Sequence, residues 1–367
     1  MALRLAITSH AWRQQAAGLP FLLPYVVPLT MLWGVATEQL ILFRIVAWTW
    51  GVVVVLDVLV PHDRLYAGSD APHPMFRSAL WDVGVLGWVP LQLAVVSAGV
   101  YVTTWTHVST PELVLITVAI GFSGGMLCMP VAHELMHRRG WLHRVAADVL
   151  LLSVSYPHFR IEHVHGHHRR VATRSDPATA RLGESFYAFY PRTLIDGITS
   201  AWHIESARLC RRGRRPWGIA NRLVRSLIVL VIVYALIYMC AGGMGVAFFA
   251  AQSVLGFSTL EVINYVQHYG LLRHVNDAGA TEPVRPSHSW NSAHRVSNWM
   301  SFNLGHHSDH HCDARTEYPH LRRRAAEPQL PAGSFAMFLL PFCPPLWRKV
   351  MDPRVHAWQQ LARKEQS

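Results

Sequence analysis

The stretch ELVLITVAIGFSGGMLCMPVAHELMHRR (residues 112–139) joins an apolar run to two histidines spaced four residues apart. A helix that spans a membrane needs about 20 predominantly apolar residues, and residues 112–132 meet that requirement. Positions four apart share one face of a helix, so His133 and His137 can both reach one metal ion. The stretch therefore predicts a membrane helix with a metal-binding end.

Six runs of this kind lie along the chain and account for its composition. Of its 367 residues, 51% are hydrophobic and 15% are charged, and the mean hydropathy is +0.20. Soluble domains carry roughly 25% charged residues, so we predict an all-α polytopic membrane protein. We expect one integral-membrane domain over residues 1–367, with six transmembrane helices at residues 19–36, 40–60, 80–104, 112–132, 223–241 and 244–266.

The positions of Lys and Arg predict how these helices are oriented. The short loops at residues 37–39, 105–111 and 242–243 contain neither residue type, whereas the segments on the other side hold nearly all of them. Cytoplasmic loops are enriched in Lys and Arg. We therefore expect both termini, and the catalytic segments 133–222 and 267–367, on the cytoplasmic side.

A short apolar run, the basic residues and the cysteines narrow the possible structures and functions further. The apolar run at residues 144–157 is too short to cross a membrane, so we expect an interfacial or buried helix there. The net charge is +11, but the basic residues that produce it lie in loops beside the membrane runs, and the sequence contains no nucleic-acid-binding motif. We therefore expect no nucleic-acid partner. The five cysteines never form a CxxC pair, so electrons for any redox reaction must come from another protein.

Nine histidines form three clusters and one single site, all outside the apolar runs. By helical spacing His163 and His167 share a face while His168 points elsewhere, and His307 shares a face with His310. Nine neutral imidazoles suffice for two metal ions with four or five ligands each, and imidazole suits iron, zinc or copper. The candidate ligands are His133, His137, His163, His167, His168, His268, His307, His310 and His311.

Carboxylates near these clusters are expected to orient the ligands. A metal-bound histidine usually donates its other N–H group to an acid or a carbonyl. The candidates beside the clusters are Glu134, Glu162, Asp176 and Asp309, and those inside the apolar runs are Asp57 and Glu261. Glu261 precedes His268 by two helical turns, so it is expected either to brace that ligand or to play a buried structural role.

Six longer motifs follow one another along the chain. They are HELMHRR (133–139), IEHVHGHHRRVAT (161–173), DPATARLGES (176–185), NYVQHYGLLR (264–273), HSWNSAHRVSN (288–298) and LGHHSDHHCDARTEYPHLR (304–322). In this order they closely resemble the integral-membrane alkane 1-monooxygenase family. The resemblance runs from about residue 20 to the stretch at 344–358.

The resemblance implies a fold, a cofactor and a reaction. It implies six transmembrane helices in the bacterial inner membrane and a non-haem di-iron centre held by the nine histidines. The implied reaction is the O2-dependent hydroxylation of the terminal methyl group of medium-chain alkanes to 1-alkanols, by hydrogen abstraction and hydroxyl rebound. A rubredoxin, or a ferredoxin-type carrier, with its NAD(P)H-dependent reductase would supply the electrons.

Two positions depart from the family pattern. Gln267 stands where the family usually has an acid, and Gly305-His306 stand where it usually has Gln-Arg. HELMHRRGWLHR and NYVQHYGL also resemble the sister xylene-type monooxygenases, which leaves methyl-aromatic side-chain hydroxylation as an alternative. A fatty-acyl desaturase or hydroxylase and a metal transporter or sensor are further alternatives.

Two more groups of residues are functional candidates. A hydrocarbon dissolved in the lipid bilayer would reach the site through the helix bundle, and the residues expected to line that channel are Phe43, Trp48, Trp50 and Trp88. Electron carriers are commonly acidic, so a basic cytoplasmic surface could dock one. The residues expected to form that surface are Arg211, Arg212, Arg214, Arg215, Arg322, Arg323 and Arg324.

Overall fold

The computed structural model describes residues 18–63, 79–275, 278–324 and 326–364. In these residues the secondary structure is helical, and the β-type contacts are two isolated bridges, which join Val275 to Thr281 and Asn291 to Gln329. The predicted all-α class is confirmed.

The helices differ widely in length. The α-helices of eight or more residues are Val26–Ala36, Ile45–Leu59, Ala79–Leu86, Trp88–Trp105, Thr110–Ser123, Met129–His137, Trp141–Ser153, Phe186–Cys210, Arg222–His268 and Pro344–Lys364. The shorter ones are Phe159–Glu162, His168–Arg170, Arg295–Met300, His307–Cys312 and Ser334–Met337. The 3-10 turns are Leu19–Tyr25, Leu40–Arg44, Pro286–His288, Tyr318–His320 and Leu340–Phe342, and the π-helical turns are Gly124–Cys128 and His163–His167.

Five helical stretches in the described residues are long and apolar enough to cross a membrane. They are Leu19–Ala36, Leu40–Leu59, Trp81–Trp105, Thr110–His137 and Arg222–His268. The first four match the first four predicted runs. The fourth is longer than predicted, because the helix continues past residue 132 and carries His133 and His137 on its last turns. These stretches make the chain an integral membrane protein.

The fifth stretch contains both of the remaining predicted runs, folded back on each other at Gly242. The backbone of Gly242 has a φ of 59° and a ψ of −160°, which interrupts the helix. The ring centroids of Tyr234 and Phe249 lie 5.1 Å apart, although fifteen residues of continuous helix would separate them by about 22 Å. Residues 222–241 and 243–268 are therefore two antiparallel arms, which we call the Gly242 hairpin. The number of membrane crossings and the cytoplasmic orientation stay predictions.

Glycines let helix Thr110–His137 pack tightly on the hairpin. A β-carbon at Gly125 would lie 2.3 Å from Cβ of Thr259, and one at Gly121 would lie 2.7 Å from the carbonyl oxygen of Gln252. Small residues allow this close approach of helix backbones in membranes. The contact brings the end of Thr110–His137 beside the end of the hairpin that carries His268.

The apolar run at residues 144–157 forms the short helix Trp141–Ser153. Its buried side includes Ala147, Leu150 and Leu151, each fully enclosed. It is too short to be among the membrane-length helices. The prediction of a buried or interfacial helix here is confirmed.

Candidate metal centre

Helix Met129–His137 supplies the first two histidines. The π-helical turn Gly124–Cys128 precedes it, and the helix ends at His137, beyond which Arg138 leaves the helical conformation. The ring centroids of His133 and His137 lie 5.1 Å apart, as expected for positions one turn apart on a single face.

The second cluster lies on a π-helical turn, and this overturns the predicted pairing. In a π-turn the hydrogen bonds run from residue i to i+5, so positions five apart are aligned. The Nε2 atoms of His163 and His168 lie 3.1 Å apart. His167, which α-helical spacing paired with His163, belongs instead to a different group of histidines. The pairing was wrong because the spacing rule assumed an α-helix.

The third cluster, on the short helix His307–Cys312, is also divided between two groups. The Nε2 atoms of His307 and His311 lie 3.0 Å apart. The Nε2 atom of His310 lies 3.2 Å from that of His168. The prediction that His307 and His310 serve one ion was wrong, because the four-residue spacing, not the three-residue one, brings two Nε2 atoms together here.

The lone His268 ends the second arm of the hairpin and lies beside the third cluster. Its Nε2 atom is 2.9 Å from that of His307, and its ring centroid is 4.6 Å from that of His167. Only 1% of His268 is exposed. Four segments far apart in sequence thus meet at one place.

The nine histidines form two groups of potential ligands. In each group the ring nitrogens lie within 4.8 Å of one another. The first group is His133, His137, His163, His168 and His310, and the second is His167, His268, His307 and His311. His168 and His311 connect the groups, with ring centroids 4.5 Å apart. The numbers five and four agree with the expectation of two ions.

The donor atoms fit metal ions. Metal–nitrogen bonds to histidine are about 2.0–2.1 Å long, so two ligands at a right angle on one ion stand about 3 Å apart. The Nε2–Nε2 distances of 2.9 to 3.2 Å match that separation. In the described part of the chain, the buried Nε2 atoms of His133, His137 and His167 have no hydrogen-bond partner. Nitrogen atoms enclosed in this way are satisfied by a bound cation.

Burial keeps most of these rings in the form that binds metal. It lowers the pKa of His163, His310 and His311 well below the usual value, and the charges of the neighbouring rings lower it further. At neutral pH these side chains are uncharged, with a free lone pair. A metal ligand must be deprotonated, so the site needs no proton loss at these positions before it binds an ion.

Asp176 holds the ring of His167. The Nδ1 atom of His167 lies 2.9 and 3.0 Å from the two carboxylate oxygens, and Thr179 donates a hydrogen bond of 2.6 Å to the same carboxylate. The bond at Nδ1 leaves Nε2 facing the second group, as a metal ligand requires. Sequence reasoning missed Thr179, although Asp followed three residues later by Thr is a common local hydrogen-bonding pattern.

Glu134 and Glu162 bind arginines. Glu134 accepts a hydrogen bond of 2.8 Å from Nε of Arg138 and one of 3.2 Å from the backbone N–H of Tyr318. Glu162 accepts a bond of 2.9 Å from Arg170, and burial together with the charge of Asp176 raises its pKa to about 7. Both carboxylates fix segments that carry ligands.

Asp57 and Asp309 also join separate segments of the chain. Asp57 accepts a hydrogen bond of 2.9 Å from the backbone N–H of Ser297, and a second from its hydroxyl group. Asp309 accepts bonds from the backbone N–H of Arg322 and from Nε of Arg324.

Glu261 does not brace His268. It accepts hydrogen bonds of 2.9 Å from Tyr156, 3.1 Å from Thr193 and 3.3 Å from Asn264. The buried structural role therefore describes Glu261, because its bonds tie Tyr156, in the loop after helix Trp141–Ser153, and Thr193, on helix Phe186–Cys210, to the hairpin.

The four aromatic residues expected in a channel have different surroundings. Trp50 lines a small cavity with Val27 and Phe122, and its Nε1–H donates a hydrogen bond of 2.8 Å to the carbonyl of Phe335. Phe43 and Trp88 are enclosed in the packed core, with 1% and 0% exposed. The prediction for Trp48 was wrong, because its side chain is 67% exposed on the outside of the bundle.

The arginines expected to dock an electron carrier fall into two sets. Arg211, Arg212, Arg214 and Arg215 are exposed on the turn that follows helix Phe186–Cys210. Two side chains of the second set bond within the protein. Nε of Arg324 donates to Asp309, and Arg323 donates a bond of 3.3 Å to the carbonyl of Asp63. The prediction of a free basic surface is wrong for Arg323 and Arg324, because their guanidinium groups are engaged there, and it stays a prediction for Arg322, whose backbone N–H bonds to Asp309.

The two positions that depart from the family pattern lie beside the ligands. The side chain of Gln267 donates a bond of 3.3 Å to the carbonyl of Leu304 and lines an apolar cavity. The Nε2 atom of His306 lies 3.1 Å from the carboxylate of Asp63, which also pairs with Arg295. Sequence reasoning missed Asp63, because nothing local relates it to residues more than 230 positions away.

Comparisons with known proteins agree with this geometry. The "Fatty acid desaturase" family model matches residues 109–341. "Alkane 1-monooxygenase 2" of Alcanivorax borkumensis is 35% identical over 338 residues, which are 91% of this chain and 88% of that protein. "Alkane 1-monooxygenase 2" of Pseudomonas aeruginosa is 34% identical over 344 residues, which are 90% and 89%. The xylene/toluene monooxygenase hydroxylase component of Pseudomonas putida is more distant, at 28% identity over 319 residues, 86% and 83%.

Proposed function

This chain belongs to the alkane 1-monooxygenase family, and from that premise we propose that it hydroxylates the terminal methyl group of medium-chain alkanes. The observation that carries the proposal is the division of nine histidines from four segments into groups of five and four. This arrangement suits a pair of non-haem iron ions. When bound, the ions would supply the activation of O2 that an unreactive C–H bond requires.

The residues of this chain contribute position and enclosure. The five-histidine and four-histidine groups would hold the two ions, and Asp176 orients the ring of His167 toward the four-histidine group. Seven of the nine histidines are buried, which keeps water from the reacting atoms. An intermediate that is shielded from water proceeds to product rather than to side reactions.

An apolar cavity beside the metal centre suits the alkyl chain. Its lining residues are Gly125, Met126, Pro130, Leu260, Ile263, Gln267, Ser301, Leu304, Gly305, Ser334 and Phe335. Gln267, which lines this cavity, directly precedes the candidate ligand His268 in the chain. The amide of Gln267 is neutral where the family usually has an acid, which keeps this cavity free of charge. Met126 and Phe335 also line the cavity at Trp50, so the two cavities are adjacent.

The proposal places the single domain in the bacterial inner membrane, with the histidine end of its helices on the cytoplasmic face. A rubredoxin with its NAD(P)H-dependent reductase, or a ferredoxin-type carrier, delivers two electrons for each O2. The exposed basic turn at Arg211, Arg212, Arg214 and Arg215 offers a surface for an acidic carrier.

The test uses the purified full-length chain in lipid nanodiscs with an electron carrier and its reductase. We expect two iron atoms per chain and the formation of 1-octanol from octane, followed by gas chromatography. Parallel reactions with xylene and with a fatty-acyl substrate distinguish the alternatives. Turnover of xylene without turnover of octane would assign the chain to methyl-aromatic oxidation, and a chain that binds no iron but remains folded would overturn the proposal.

A further inference from the structure

Helix Phe186–Cys210 carries an apolar stripe on its exposed surface. Tyr187 is 61% exposed, Ile195 64% and Ile198 40%. At 100° per residue the members of the stripe fall within an arc of about 80°. They are Tyr187, Pro191, Ile195, Ile198 and Trp202.

The rest of the helix surface divides into a protein side and a polar side. The side packed against the protein includes Phe189, Thr193, Gly197 and Ala201, all buried. The polar side is exposed and carries Asp196, Thr199 and His203. A helix with three such sides contacts protein, water and one further apolar medium.

The Gly242 hairpin defines the depth at which this helix lies. The contact between Tyr234 and Phe249 places these two residues level with each other on the antiparallel arms. Arg222 is twelve residues before Tyr234, and Glu261 is twelve residues after Phe249. Each is about 18 Å from the contact, in the same direction, so Arg222 and Glu261 lie at the same depth.

Helix Phe186–Cys210 is attached to both of these points. Glu205 accepts hydrogen bonds of 2.9 Å from the backbone N–H of Arg222 and 2.8 Å from its Nε. Thr193 donates a bond of 3.1 Å to Glu261. The two attachments are twelve residues apart along the helix, about 18 Å. The helix therefore crosses the hairpin at constant depth, and its axis is parallel to the membrane plane.

That depth is the boundary of the apolar region. Arg222 begins the membrane-length stretch, Arg225 and Ser226 lie in its first turns, and the residues from Leu227 to Ala241 are apolar. Trp202, the last member of the stripe, contacts Trp217 in the segment that leads to Arg222, with ring centroids 4.3 Å apart. This contact extends the exposed apolar surface beyond the helix. Trp217 is 78% exposed and Ile219 is 75% exposed. Trp is enriched at membrane interfaces, and nearby arginines are attracted to anionic headgroups.

We propose that helix Phe186–Cys210 is an in-plane membrane helix, whose apolar stripe contacts the lipid at the level where the hairpin begins. The polar side faces water. Amphipathic helices bury their apolar face about 5–10 Å into this boundary region. The inference stands independently of the proposed function, because it rests on the membrane hairpin and the exposed side chains alone.

The test compares two exposed positions on the same helix. I195C lies in the stripe, and T199C, the matched control, lies on the polar side one turn further along. Each full-length variant is reconstituted in nanodiscs of phosphatidylethanolamine and phosphatidylglycerol and treated with a charged, membrane-impermeant maleimide. Peptide mass spectrometry reads the labelling at each position separately from the native cysteines. Labelling of the unfolded chain gives the reference rate for a fully accessible cysteine.

We expect labelling of I195C to be several-fold slower than labelling of T199C in nanodiscs. Equal labelling would overturn the proposal, because it would show the stripe open to water. Protection of I195C that requires added electron carrier would also overturn it, and would make the stripe a protein-binding surface. Both substitutions are at exposed positions, and thermal unfolding of each variant verifies that it is folded.

Discussion

His163 and His168 bring their Nε2 atoms to 3.1 Å although five residues separate them. The π-helical turn His163–His167 makes this contact possible, since it aligns positions five apart. His167 is thereby free to face the other histidine group, where it lies beside His268. One local change of helix type thus lets a single short segment contribute histidines to both groups.

The H168A variant is expected to lose metal from the five-histidine group. Removal of one ligand there should lower the iron content from about two to about one per chain, and hydroxylation more than about 100-fold, the upper range found for residues that only support a ligand. Iron analysis and octane turnover measure these changes. The control is H165A, because His165 lies in the same turn but outside both groups, where it contacts Arg222. Full iron content in H168A would remove this residue from the ligand set.

The D176N variant tests the orientation of His167. An amide has one acceptor oxygen and no charge, whereas both carboxylate oxygens of Asp176 contact the ring and one accepts from Thr179, so the ring is held less firmly in its orientation. Metal affinity or activity should fall about 10- to 100-fold. Iron titration of the apoprotein measures the affinity. D196N, at an exposed acid on helix Phe186–Cys210, should leave it unchanged. Equal affinity in D176N and the wild type would contradict the orienting role.

The W50A variant is expected to accept longer alkanes. Trp50 lines a cavity adjacent to the apolar cavity at Gln267, so a smaller side chain should open the two into one longer space. Product analysis with a series of alkanes from octane to hexadecane should show a shift toward longer substrates. W48A should leave the preferred alkane length unchanged, because Trp48 lies on the outside of the bundle. If W50A also leaves the preferred length unchanged, the substrate does not occupy the cavity at Trp50.

Asp63 should make stability depend on pH in the acidic range. Burial raises the pKa of its carboxyl, but His306 and hydrogen bonds from Asn298 and Arg295 outweigh that effect and lower it to about 2. A carboxyl whose pKa is lower in the folded state stabilises the fold above its unfolded pKa of about 4, and that contribution disappears as the pH falls toward 2.

The D63N variant removes this contribution. Its thermal unfolding temperature should be lower than that of the wild type at pH 6, and the difference should shrink as the pH approaches 3. Differential scanning fluorimetry in nanodiscs measures both. D196N again serves as a control, since Asp196 is exposed. A difference that stays constant from pH 6 to pH 3 would show that the charge of Asp63 is not responsible.

The sequence by itself determined the apolar helices and the identity of the candidate ligands. Apolar runs of membrane length and the HxxxH spacing are local patterns, and each is readable from a few adjacent residues. The first four runs reappear as single helical stretches, and the last two as the arms of the hairpin. All nine histidines belong to one of the two groups.

Tertiary structure alone decided how these parts are used. His167 and His310 belong to groups that helical spacing did not assign them to, because a π-turn and the packing of four segments determine where each ring points. Trp48 and Trp50 differ by two positions, yet one faces outward and the other a cavity. The guanidinium groups of Arg323 and Arg324 bond to Asp63 and Asp309 instead of offering charge to a partner. Such contacts depend on distances between remote segments, which residue type and local spacing do not contain.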